Sequence, residues 1–71
     1  MDIAEAIKQA YKTEPFKPFS IVLTDGRKFD INHPGEVWVA LRSHLCVIKT
    51  GADSYQFVDT SYLRAIEPKA A

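Results

Sequence analysis

The spacing of apolar residues along the chain starts at a helical period and shifts to a strand period near residue 19. Ile3, Ala6, Ile7, Ala10 and Tyr11 recur at the three- and four-residue intervals of one helix face, while Glu5, Lys8, Gln9 and Lys12 fill the other. This predicts an amphipathic helix over about residues 2–12. Asp2 and Glu5 have the spacing of a capping box, with the Asp2 carboxylate placed to accept from the open amides of the first turn. Pro15 and Pro18 stop the helix, because proline lacks the N–H the ladder needs and drives the residue before it toward extended backbone. Residues 13–18 are therefore expected to form a stiff connector.

Beyond it, Phe19, Ile21 and Leu23 alternate with polar or less apolar neighbours, and Phe29 and Ile31 do so again after Asp25-Gly26. That pattern predicts a β-hairpin and selects its loop. A two-residue Asp25-Gly26 loop would pair Val22 with Phe29 and put Phe29 on the face opposite Ile21 and Leu23. A three-residue loop, Thr24-Asp25-Gly26, ends with Gly26 in the left-handed region as a bulge. It pairs Leu23 with Arg27, Ile21 with Phe29 and Phe19 with Ile31, so every large apolar side chain shares one face.

His33-Pro34-Gly35 breaks the pattern, and residues 37–41 and 45–50 read as two more strands about a turn at Arg42-Ser43-His44. With three residues in that turn, Val37, Val39, Leu41, Leu45 and Val47 share one face, and Trp38, Ala40, Cys46 and Ile48 share the other. Both faces are apolar, so the second requires a cover, either the N-terminal helix or another subunit. Residues 55–58 and 62–67 read as further strands around Asp59-Thr60-Ser61. The expected fold is α+β, mostly β: one domain over 1–71, with helix 2–12, connector 13–18 and β region 19–67. About five short antiparallel strands would form a bent sheet or a small SH3-like barrel, with an open sheet under the helix as the alternative.

The segment from Pro15 to Arg27, PFKPFSIVLTDGR, followed by Ile31-Asn32-His33-Pro34, resembles a group of very short uncharacterised bacterial proteins. They share a PFxPFxIxLxDGR stretch, a His-Pro and a β-rich tail. The resemblance implies no activity. A helix before five strands, with an LxDGR-like turn after the first, is also similar to the Sm/Hfq class of RNA-binding rings. That resemblance implies a small barrel, ring assembly and an RNA partner. The second segment typical of that class has no counterpart in this sequence.

Charge and composition narrow the partners. Nine Lys and Arg balance nine Asp and Glu, so no long-range field draws the chain to phosphate backbones or anionic membranes. No apolar run approaches the length of a bilayer span, and Asp2 and Glu5 stand where a signal peptide would be basic. The expectation is a cytoplasmic protein with no membrane partner. A single cysteine, Cys46, lies in the apolar run Leu45-Cys46-Val47-Ile48 and reads as a small buried hydrophobe. Cys46 with His44 or His33 is the one pairing suited to nucleophilic catalysis, and with Asp53 to a metal. Neither has the convergent set such chemistry needs, so no catalytic, cofactor or metal residue is expected.

What remains is surface. Trp38 is either packed under the helix or an interface anchor, and with Ile48 it forms the candidate interface of a homo-oligomer or of a complex with another protein. Arg27 and Lys28, flanking the hairpin turn, are the candidate contacts if the partner is nucleic acid. The first expectation is a non-enzymatic, self-associating interaction module; the alternative is a small nucleic-acid-binding barrel.

Overall fold

The computed structural model describes residues 2–69. Helix α1 spans Ile3–Lys12, and the Asp2 carboxylate caps it by accepting the Ala4 amide at 3.0 Å. Glu5 does not complete a capping box; its carboxylate accepts the Gln9 side-chain amide at 3.2 Å instead. Ala4 and Ile7 are buried, and Ile3, Ala10 and Tyr11 pack at the margin of the core, so the helix is held by its apolar stripe.

Six strands follow: β1 (Phe19–Leu23), β2 (Lys28–Ile31), β3 (Val37–Ala40), β4 (Leu45–Lys49), β5 (Tyr55–Asp59) and β6 (Leu63–Pro68). They form two three-stranded antiparallel sheets, ordered β2-β1-β6 and β3-β4-β5. The fold is the expected α+β, mostly β class. The strands number six rather than about five, one for each alternating segment of the sequence, and the 3-10 turn Pro34–Glu36 carries the chain from one sheet to the other. There the Glu36 carboxylate accepts the amides of Asn32 at 2.7 Å and His33 at 3.0 Å, fixing the corner. Helix α1 lies against β6 of the first sheet and β3 of the second, bridging them. Among the described residues no helix is long and apolar enough to cross a membrane.

The first hairpin has the expected register. Phe19 pairs with Ile31 and Ile21 with Phe29. The Leu23 amide donates to the Arg27 carbonyl at 2.8 Å, and Gly26 adopts φ +92°. Phe19, Ile21, Leu23 and Ile31 are buried together in the core.

The second hairpin departs from expectation by one residue. Val37 pairs with Ile48, Trp38 with Val47, Val39 with Cys46 and Ala40 with Leu45. The connection therefore has four residues: Leu41–Ser43 form a 3-10 turn and His44 closes it in the left-handed region at φ 53°, its amide donating to the Leu41 carbonyl. Val37, Val39, Cys46 and Ile48 then form the core face, and Trp38, Ala40, Leu45 and Val47 face outward. With either loop length both faces are apolar, so hydrophobic patterning could not select between them.

Candidate interaction surface

The outward faces of the two sheets differ in kind. On β2-β1-β6 the outward positions are mostly polar and interlocked, with Val22 and Ala65 half-buried among them. Ser20, 3% exposed, donates its hydroxyl to Asp30 at 2.7 Å. Lys28 pairs with Glu67 at 3.0 Å, and Lys69 reaches Asp30 at 3.7 Å. The Ser20 hydrogen bond first, and then the Lys69 charge, hold Asp30 below the ordinary carboxylate pKa.

On β3-β4-β5 the outward positions are largely apolar. The ladder sets Trp38, Val47 and Phe57 side by side across the three strands, with Ala40 and Leu45 in the next row and Tyr55 opposite Lys49. Trp38 is 57% exposed, Phe57 64% and Tyr55 57%. Contiguous aromatic exposure on this scale is uncommon on a soluble monomer.

Trp38 thus does not lie under the helix. Ile48, expected beside it, is 0% exposed and belongs to the core, because the one-residue difference in register moves it to the opposite face from Trp38's cross-strand neighbours. Phe57 and Tyr55 join the surface and were missed. The signal was present in the period-two spacing of residues 55–58, where the aromatics alternate with Gln56 and Val58, and only Val58 of the four is buried.

Arg27 and Lys28 are both engaged. Arg27 Nε donates to Asp25 at 2.8 Å and its guanidinium lies 5.9 Å from the Phe29 ring centroid; Lys28 is the partner of Glu67. Accepting the Arg27 amide, with the guanidinium beside it, holds Asp25 below its ordinary pKa. A different basic group lines the groove of about 580 Å3 between α1 and β3, where Lys8, Lys12 and Arg42 surround Tyr11 and Trp38. These three make no ion pair among the described residues.

Cys46 is 0% exposed, and burial pushes its thiol up to about 11, which keeps it protonated at neutral pH. His44 sits in the exposed turn. Among the described residues no three His, Cys, Asp or Glu side chains gather in a metal-binding arrangement. Comparison of the chain with protein-family models, with curated proteins and with solved structures finds no match in any of the three.

Proposed function

We propose that this chain is a small non-enzymatic interaction module that associates with copies of itself through the outward face of β3-β4-β5. The supporting observation is the exposed Trp38–Val47–Phe57 row, a surface whose burial is favourable and which the fold itself leaves open. The non-enzymatic part rests on the sole cysteine being a buried, protonated thiol apart from the exposed His44. A cytoplasmic setting belongs to the same reading. Sedimentation of the unmodified protein beside Trp38→Asp tests it: the unmodified chain should exceed its 8.0 kDa monomer mass at micromolar concentration, and the variant should not. An unmodified chain that remains monomeric defeats the proposal.

A second reading, a nucleic-acid-binding barrel of SH3-like or Sm-like kind, draws support from the return of β6 to pair with β1 and from the basic groove at Lys8, Lys12 and Arg42 with its two aromatic rings. Arg27 and Lys28 contribute less to it, being occupied by carboxylates. Nucleic acid co-purifying with the protein, read from its ultraviolet absorbance ratio, would favour this reading, and its loss in Lys8→Glu with Arg42→Glu would locate the contact.

A further inference from the structure

The nine Lys and Arg side chains do not share one environment. Arg27, Lys28 and Lys69 each have a carboxylate within 3.7 Å. Lys8, Lys12 and Arg42 have none among the described residues, and they meet at one place, the groove of about 580 Å3 between α1 and β3. Among the described residues no Asp or Glu lines that groove.

The fold builds this convergence from two sides. Lys8 and Lys12 stand one helical turn apart on α1, about 5–6 Å between Cβ atoms. Arg42 comes from the 3-10 turn Leu41–Ser43 that follows β3, and so enters from the strand side. Glu5, the one carboxylate within α1, is turned to the Gln9 side-chain amide at 3.2 Å. Like charges at this spacing repel, and no anionic partner among the described residues offsets them. Two rings complete the lining. Tyr11 is fixed by its hydroxyl, which accepts the Val39 amide at 3.3 Å and keeps its own proton to donate. Trp38, 57% exposed, offers an indole surface on which a planar group can stack.

We infer that this groove binds a nucleoside di- or triphosphate, its phosphates on Lys8, Lys12 and Arg42 and its base against Trp38. Charge complementarity selects the anion: three cations converge and no carboxylate among the described residues competes with a ligand for them. Arg42 adds the planar fork that matches phosphate oxygens in pairs. The two rings select a ligand that carries a planar group beside its phosphates. The volume falls within the range of about 300–1,000 Å3 that small-molecule sites occupy. A polynucleotide is the poorer occupant, because its backbone is followed by a stripe of cations over a basic surface. Here the formal net charge is zero and Arg27, Lys28 and Lys69, toward the other sheet, are held by carboxylates. The site goes beyond self-association and does not rest on it, since a single copy supplies every group named.

Trp38 is the chain's one tryptophan, so its indole N–H resonance reports on the groove in an NMR titration. Calorimetry at one fixed protein concentration then gives the affinities. Adenosine triphosphate should shift that resonance to saturation in the millimolar range or below, and should bind about tenfold or more tighter than either adenosine or inorganic triphosphate. Lys8→Gln and Arg42→Gln should each weaken adenosine triphosphate and inorganic triphosphate alike, by about fivefold or more. Lys17→Gln, which removes the same charge from the exposed connector, should change neither. Trp38→Leu should weaken adenosine triphosphate about tenfold and leave inorganic triphosphate unchanged, a difference that a folding defect would not produce. An indole resonance that stays in place at millimolar adenosine triphosphate overturns the site. Equal affinity for inorganic triphosphate overturns the nucleotide as its ligand, and an equal loss in Lys17→Gln overturns the groove as its location. A single-stranded oligothymidylate that binds where adenosine triphosphate does not overturns the compact ligand in favour of nucleic acid.

Discussion

The two sheets have the same number of strands and enclose one core, yet they treat water oppositely. In β2-β1-β6 each outward row carries charges whose partners lie in the same sheet: Lys28 with Glu67, Asp30 with Ser20 and Lys69. In β3-β4-β5 the central outward row is Trp38, Val47 and Phe57. The first sheet satisfies itself and has a solvent face; the second has two apolar faces, one supplied with a core and one without. A domain this small fills a single core, so the fold leaves the second apolar face in water.

The sharpest way to break this contrast is to place the same charge on each face of one hairpin. Ile48→Asp buries an uncompensated carboxylate at a position with no exposure and should cost roughly 4–5 kcal/mol, enough to unfold the chain, as thermal melting would register. Trp38→Asp should cost the monomer about 1 kcal/mol or less while removing self-association. Equal losses from both would mean the two faces are not distinct. The helix contribution comes next: Ile7, also fully buried, should cost about 2–5 kcal/mol on replacement by alanine, measured by urea denaturation. Gly26→Val should follow at roughly 1–2 kcal/mol. An added Cβ meets no atom within 4 Å, so the cost is the left-handed backbone alone.

The smallest effect belongs to the polar face and appears in acid. Asp30 has its folded pKa lowered, so its contribution is fully present above the ordinary carboxylate pKa and fades as pH falls through the folded value. The melting temperature should hold steady from about pH 4 to about pH 8 and fall below that range. Asp30→Asn should flatten part of that fall, whereas Trp38→Asp should leave the slope from the first sheet unchanged.

The same contrast explains what could be read in the sequence. The first hairpin was legible to the residue, loop included, because its polar positions left one register in which Phe19, Ile21, Leu23, Phe29 and Ile31 agree. The second was legible strand by strand but not across strands. Val39 meets Cys46 rather than Val47, and nothing in the pattern penalises either match. The turn held the deciding information, in the ability of His44 to take a left-handed conformation, which the residue type permits without requiring. Trp38 stands out by its isolation. The faces of Ile48 and Phe57 depend on a ladder that the pattern leaves undetermined, and the observed register puts the first in the core and the second in water. The ion pairs of Arg27 and Lys28 arise from Asp25, close in sequence, and Glu67, far from it, and only the first could be anticipated.

The hydrogen bond from the Val39 amide to the Tyr11 hydroxyl gives α1 a second task. Besides covering the core with Ala4 and Ile7, the helix occupies a backbone donor on the edge of β3, so a strand docking there would have to displace Tyr11. Without α1 that donor and the core face beneath it would open together, the two ingredients of strand-to-strand aggregation. Ten helical residues thus act as an edge guard. Deleting residues 1–13 should therefore lower solubility along with stability, visible as turbidity at concentrations where the full chain stays clear.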